Sequence, residues 1–337
     1  MSVAPGRRRP TIRDVADAAG VSRGTVSRVL NGGHWVSPEA QEAVEAAIRS
    51  TGYRANQHAR SLATGRSNSI AFLLTEPQRL LFSDPNFSIL LGGAAEATTQ
   101  NGVTLILLVA GTPAERENVA AYVGAGHVDG VLLISSHENE PLIGWLHDEG
   151  IPTVACGIPL GYTGSAAWVS VDESGGAREM VRHLRSRGRR RIATIAGPQD
   201  TPGGRFRLEG YRAELGDAFD ERLVAYGDYS AESGQAAMTE LLERAPDVDA
   251  VFAASDLMAS GALVALRRAG RSVPQDVALG GFDDSGLAET LDPPLTTMRQ
   301  PFDRISAEMV RAVLDQVEGA APKSVTMPAA LVTRAST

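Results

Sequence analysis

Cysteine is nearly absent: Cys156 stands alone among 337 residues, which excludes an internal disulfide framework and any cysteine-rich metal site. A lone thiol suits a reducing compartment and is expected as a small core side chain. Long apolar runs are lacking too. No stretch approaches the roughly 18–20 residues that span a bilayer, so no membrane partner is expected. The chain opens Met1-Ser2-Val3-Ala4-Pro5-Gly6 and passes to Arg7-Arg8-Arg9 with no apolar segment behind it. No secretory signal is read, and the expected location is the cytoplasm. Aromatic residues make up only 5%, beside 43% hydrophobic and 21% charged residues, the balance of a globular protein rather than a disordered or membrane one.

Chemistry-bearing clusters are equally scarce. The six histidines, at 34, 58, 127, 137, 147 and 183, show no metal-ligand spacing, and His137 and His147 read as two unrelated surface residues. Asp283-Asp284 could pass for paired catalytic acids, but neighbours in one loop usually point apart. The glycines between Gly197 and Gly204 match no complete phosphate-loop spacing. No nucleophile–base set is present, so no catalytic residue, cofactor or metal is expected.

What is there is an uneven charge. The net charge of -8 argues against nucleic acid, yet residues 1–68 carry ten arginines against five acids, a net of +5, which leaves -13 for the rest. A basic segment joined to an acidic body is the electrostatic footprint of a nucleic-acid-binding module, although a solvated basic face would look the same. The length suggests two or three domains.

The first segment reads as three short helices. Thr11 caps a helix from Ile12 to Ala18, Gly20 punctuates it, and Ser22 caps a second helix to Leu30. Ser37-Pro38 then opens a third through Ile48, with Thr51-Gly52 at its end. Ala16, Gly20 and Val26 have the spacing of a helix-turn-helix: a small residue for close approach, a glycine for the turn, and a valine for the shared core. The second helix would enter the major groove with its first turn leading. Arg23 and Arg28 are the candidates for guanine edges, and Ser22 faces the phosphates.

From Ile70 onward, short apolar runs alternate with amphipathic stretches. The runs are 70–74, 103–109, 131–134, 153–156, 192–196, 223–225, 251–253 and 277–279, and helical patterns such as 86–100, 173–185 and 256–269 lie between them. Apolar strands separated by helices indicate parallel sheets covered on both faces. About eight units fit two doubly wound subdomains, with a single eight-fold barrel as the competing count.

Thr11-Ile12-Arg13-Asp14-Val15-Ala16, Gly20-Val21-Ser22, Thr25-Val26-Ser27-Arg28-Val29-Leu30-Asn31 and Val36-Ser37 resemble the headpiece of the lactose-repressor family. Gly52-Tyr53-Arg54-Ala55-Asn56, Ala59-Arg60-Ser61-Leu62 and Thr64-Gly65-Arg66-Ser67 extend that resemblance into the family's linker. It implies an all-α helix-turn-helix headpiece on an α/β periplasmic-binding-protein-like core of two doubly wound parallel-sheet subdomains. It also implies a linker that folds into a hinge helix on operator DNA, with Ala59 and Leu62 in the minor groove. Residues 56–63 are too few for a helix stable in water, and a leucine wedge can kink a duplex. DNA contact is thereby implied for Thr11, Ser22, Arg23, Thr25, Ser27 and Arg28, and for Asn31, Tyr53, Asn56, Ala59 and Leu62.

The expected boundaries are a disordered basic tail at 1–10, a DNA-binding domain at 11–55, a hinge-helix linker at 56–68 and an effector-binding and dimerisation core at 69–337. Within the core, the N-subdomain is expected at about 69–166 and 300–321, and the C-subdomain at about 167–299 and 322–337. The resemblance continues there in Asp129 to Leu133, Gly197-Pro198, Gly204 to Tyr211, Ser255-Asp256, Gly281 to Asp284 and Pro294 to Gln300. It implies that Arg207 grips effector oxygens, Asp283 accepts hydroxyl hydrogens and Tyr229 stacks on a ring. Ser135, Ser255, Gln300 and Phe302 are the other effector-binding candidates. An arginine, an acid and an aromatic plate suit a sugar or related polar metabolite.

Three departures leave the ligand class open to a nucleoside, a modified sugar or an acid. Ser255 stands where an amide often sits, Gly157 where a second carboxylate can sit, and 76–85 is long, adding Arg79 and two leucines near the cleft mouth. The expected function is a transcriptional regulator, a repressor, that holds a near-palindromic operator as a homodimer under effector control. No heptad tail follows Leu331-Val332-Thr333, so no tetramer formed through one is expected. A solute-binding protein of transport sharing only the core fold is the alternative, and an enzyme on a doubly wound fold is the third reading.

Overall fold

The computed structural model describes residues 10–30, 36–53, 66–162, 164 and 166–337. The chain divides into two compact units, Met1–Ser67 and Asn68–Thr337. The expected basic tail, Asn31 and the linker residues Asn56, Ala59 and Leu62 lie outside the described residues.

In the first unit α1 spans Ile12–Ala19, α2 Arg23–Leu30 and α3 Pro38–Thr51. Each helix starts where a side chain meets otherwise orphaned backbone N–H groups. The Asp14 carboxylate accepts from the Thr11 backbone N–H at 2.6 Å and from its hydroxyl at 2.7 Å. Ser22 Oγ accepts from the Thr25 N–H at 3.1 Å, and Ser37 Oγ from the Ala40 N–H at 3.3 Å. Gly20 ends α1 at φ 66°, a left-handed conformation that costs glycine little. Val15, Ala16, Val26, Val44 and Ala47 form the buried core, and Ile12, Val29, Ile48 and Tyr53 pack around it.

The second unit holds two six-stranded sheets. The chain lays down β1 (Ser69–Leu74), α4 (Gln78–Ser83), α5 (Pro85–Gln100), β2 (Thr104–Val109), α6 (Pro113–Gly124) and β3 (Gly130–Ile134). Then come α7 (Pro141–Asp148), β4 (Thr153–Cys156) and β5 (Ala167–Val171), which complete the first pass through one sheet. The other sheet follows with α8 (Glu173–Ser186), β6 (Ile192–Ala196), α9 (Pro202–Leu215), β7 (Val224–Tyr226), α10 (Ala231–Arg244) and β8 (Ala250–Ala253). It continues through α11 (Asp256–Arg268), β9 (Ala278–Asp283), α12 (Leu287–Thr290) and β10 (Thr296–Arg299). Helix α13 (Phe302–Val317) returns to the first core, β11 (Val325–Met327) joins the first sheet and β12 (Ala330–Val332) the second.

The strand orders are β11-β5-β4-β3-β1-β2 and β12-β10-β9-β8-β6-β7. Among the described residues, only the β10–β12 pairing is antiparallel. Every residue of β1, β3, β8 and β9 is buried, as strands covered on both faces by crossover helices must be. Two separate sheets exclude the single barrel. The expected subdomain limits need correction at two strands. Ala167–Val171 and Val325–Met327, both assigned to the C-subdomain, pair in the first sheet, with Val154 opposite Ala167 and Val325 opposite Val169. Ala167 and Val169 fill the first core, so burial holds this strand there although its Trp168 and Ser170 disguise it in sequence. The chain passes between the sheets after β5, after β10 and after β11, which leaves the carboxyl ends of both sheets facing a common cleft.

Candidate functional site

In the headpiece, Thr11, Ser22, Arg23 and Arg28 are exposed, while Thr25, Ser27 and Tyr53 are half-buried. The α2 spacing sets Arg23 and Ser27 on one stripe and Gly24 and Arg28 on the next. Arg28 Nη2 lies 3.8 Å from where a Cβ on Gly24 would stand, an ordinary contact distance, so the guanidinium lies back along the helix start. The Ser22 and Thr25 hydroxyls are 3.0 Å apart at the α2 N-terminus, where free N–H groups and the helix dipole favour an anion. Tyr53 packs its ring against the headpiece core.

Between the two sheets of the second unit lies a cavity of about 870 Å³. Ser135, Arg207, Tyr229, Ser255, Asp283, Gln300 and Phe302, expected from sequence to face an effector, all line it. They arrive from the carboxyl ends of β3, β8, β9 and β10, from α9 and α13, and from the turn before α10.

The polar centre is Arg207, whose side chain is only 7% exposed. Its Nε donates to Glu173 Oε2 at 2.6 Å, and Nη1 donates to the Ala254 carbonyl and lies 3.5 Å from Asp283 Oδ1. The guanidinium carbon sits 3.8 Å over the Phe282 ring. Asp283 also accepts from Gln300 Nε2 at 2.8 Å. Burial pushes its carboxyl up to about 6 against the pull of Arg207. Its backbone adopts φ 122°, a strained conformation for a side-chain-bearing residue that aims the carboxylate into the cleft. Beneath it, Asp256 accepts from the Thr297 hydroxyl and from the Asp284 N–H at 2.7 Å, which fixes the loop. Asp284 turns away to Arg299 and Arg334, at 2.6 and 2.8 Å, so the adjacent acids do not act as a pair.

Tyr229 stands at φ 69° with its hydroxyl 3.3 Å from Thr201 Oγ1. The ring presses on Gly197, where a Cβ would fall 2.5 Å from Tyr229 Cζ. Burial lifts the phenol to about 12, so it stays neutral. Ser255 Oγ is already engaged as the α11 cap, accepting from the Met258 N–H at 3.1 Å. Leu90, Phe302 and Ile305 supply an apolar wall.

Several lining groups were not foreseen. Glu173, in the first turn of α8, pairs with Arg207; a carboxylate just after the carboxyl end of β5 was the available signal. Asn86 Oδ1 and Ser136 Oγ are buried without a hydrogen-bond partner among the described residues, and both residues line the cavity. His137, read as an unrelated surface residue, is half-buried between Glu76 and Asp200, with Nε2 2.9 Å from Glu76 Oε1 and Nδ1 2.7 Å from Asp200 Oδ2. Those partners are 61 and 63 residues away in sequence, which hid the contact. Among the described residues, no group of three or more metal-ligating side chains is present, and no helix is long and apolar enough to cross a membrane.

A helix-turn-helix unit carried on the same chain as a two-sheet unit with a polar cleft is the build of a ligand-responsive transcriptional regulator. Residues 11–56 match "Bacterial regulatory proteins, lacI family", and residues 181–337 match "Periplasmic binding protein-like domain". The HTH-type transcriptional regulator CelR of Thermobifida fusca is 47% identical over 93% of this chain and 93% of its own. The HTH-type transcriptional repressor CytR of Escherichia coli K12 is 33% identical over 92% and 90%. A solved CelR–cellobiose complex superimposes with a TM-score of 0.78 at 44% identity, over 98% of this chain and 100% of that one. A lac repressor dimer bound to operator and the anti-inducer ONPF superimposes with a TM-score of 0.87 at 27% identity, over 98% and 99%. The chain belongs to the lacI family of bacterial regulatory proteins, and it is a DNA-binding transcriptional regulator.

Proposed function

We propose that the protein represses transcription as a homodimer on a near-palindromic operator, and that a neutral, short oligosaccharide in the cleft changes its grip. The observation that carries the effector class is the charge of the cleft. Six acids line it, Glu76, Asp84, Glu173, Asp228, Glu232 and Asp283, against Arg207 and His137. Arg207 is already bonded to Glu173, so an anionic ligand would meet uncompensated negative charge. That argues against the acid left open by the sequence. Hydroxyl groups suit the site better, because Asp283 can accept their hydrogens and Asn86 Oδ1 and Ser136 Oγ are buried polar atoms without a partner among the described residues. Tyr229 and Phe302 offer the apolar faces on which pyranose rings rest. About 870 Å³ lies in the upper part of the roughly 300–1,000 Å³ usual for small-molecule sites, room for more than one ring. The CelR–cellobiose complex supports this reading.

On the DNA side we assign base edges to Arg23 and Arg28 and phosphate contacts to Thr11, Ser22, Thr25 and Ser27. Asn31, Tyr53 and Asn56 are assigned to the same interface, and Ala59 and Leu62 to a minor-groove wedge. The lac repressor dimer on operator supports the dimeric arrangement. Isothermal titration tests the effector class. Cellobiose should bind with a measurable heat, glucose more weakly, and a sugar phosphate not at all. Binding of the phosphate in preference to cellobiose would reverse the charge argument.

A further inference from the structure

The mouth of the cleft carries a cluster that ligand binding leaves unexplained. The loop after β3 is joined by three contacts to the loop that follows β6 and the first turn of α9, which belong to the other sheet. The Glu138 backbone N–H donates to the Asp200 carbonyl at 2.6 Å. Arg205 forks onto the Glu138 carboxylate, with Nη1 3.0 Å from Oε1 and Nη2 2.6 Å from Oε2. His137 bridges both sides, with Asp200 across the cleft and Glu76 behind it. The cluster is held from each side. Ser135 Oγ donates to Glu76 Oε1 at 2.7 Å, and Arg116 grips the buried Glu140 at 3.0 Å, which anchors the loop of the first sheet. Arg205 Nε donates to the Gln199 carbonyl at 3.0 Å, which ties it to the other loop.

We infer that His137, Glu138, Asp200 and Arg205 form a latch that holds the two subdomains closed and slows release of whatever occupies the cleft. It rests on the proposed cleft ligand only for the release rate; the closure itself is a property of the protein. A single imidazole between two carboxylates satisfies both only when both of its ring nitrogens carry hydrogen. The charged groups facing His137 are Glu76 on its own side and Asp200 across the cleft, with the Glu138–Arg205 pair alongside. Hydrogen bonding to Glu76 raises the imidazole to about 9 from 6.5, with Asp200 adding to the effect and burial opposing it. The folded, closed value is the higher one. Glu76 stays beside the ring when the cleft opens, so only the Asp200 share of this rise is linked to closure; closure keeps that contribution while the imidazole is charged and loses it as pH rises through about 9.

Spin labels on cysteines placed at exposed Glu117 and Glu221, one in each subdomain, read the closure directly. Cys156 is half-buried in the cleft wall, so the labels are placed in a Cys156→Ala background and the unlabelled variant is checked for cellobiose binding. Without ligand, the wild type should give one short distance at about pH 7 and gain a longer one at about pH 10. H137L should show the longer distance at both. Glu138→Arg and Arg205→Glu should each show it at neutral pH, and the double variant should regain the short distance. Distances that coincide across pH and variants overturn the latch. Stopped-flow release of cellobiose should be about tenfold faster in H137L, with association little changed. Calorimetry on the same samples separates the two readings. No cellobiose heat with an intact distance switch overturns the effector and upholds the latch, whereas cellobiose heat with no distance switch overturns the latch.

Discussion

At the residue scale, the cleft is a balance of buried charges in which no member can be removed alone. Arg207 lies between Glu173 and Asp283, each almost fully buried, and losing the guanidinium strands both carboxylates. Arg207→Ala should therefore cost about 3–5 kcal/mol of stability in urea denaturation, where an exposed arginine would cost little. Asp283 makes a separate prediction. Burial raises its folded value to about 6 from 3.8, so its charge costs stability above about pH 6, and that cost fades toward about pH 4. Ligand binding should run the other way, because a protonated Asp283 gives up an acceptor. Cellobiose affinity should fall as pH drops through about 6 in a calorimetric series, and Asp283→Asn should flatten the fall. Gly197→Ala would drive a Cβ to 2.5 Å from the Tyr229 ring; a loss of about tenfold in cellobiose affinity is expected if that ring is a sugar platform. The residues visible in sequence were those in distinctive local stretches, such as Arg207 in the first turns of α9 and Asp283 at the end of β9. Glu173 and His137 escaped because their partners lie 34 to 63 residues away in sequence.

At the element scale, legibility followed burial. Strands β1, β3 and β8 are unbroken apolar runs buried on both faces, and their sequences announce it. Strand β10 does not. Thr296 and Thr297 are fully buried but fall outside the apolar runs, because their hydroxyls are satisfied by the Arg334 carbonyl and by Asp256, partners that only the fold supplies. β5 and β11 were hidden for a related reason, being short and interrupted by polar or bulky residues, and the subdomain limits drawn from sequence went astray there. The headpiece helices were readable at both ends because cap and turn chemistry is local. Gly20 has open space around it, so Gly20→Ala should cost only the left-handed penalty of about 1 kcal/mol, seen as faster amide exchange in α1 and α2. Arg28→Ala should relax base choice at one operator position by about 1–3 kcal/mol in a selected-duplex titration, whereas uniform weakening would mark a phosphate contact.

At the scale of the whole molecule, a basic N-terminal segment and an acidic body with a polar cleft divide the charge. In the proposed function the +5 segment would supply the phosphate attraction, and the -13 body would discourage nonspecific wrapping of nucleic acid. Operator affinity should accordingly fall steeply with salt, while cellobiose affinity should barely respond. Regulation requires that the ligand favour one state of the body over another; a ligand bound equally to both shifts nothing. The most direct test is a fluorescence-anisotropy titration of the full chain against a duplex selected from a random library, with and without saturating cellobiose. Tight, sequence-selective binding is expected, with an affinity that changes at least about tenfold with the sugar, a coupling of roughly 1.4 kcal/mol. Identical curves, with calorimetry showing the cleft filled, would contradict it.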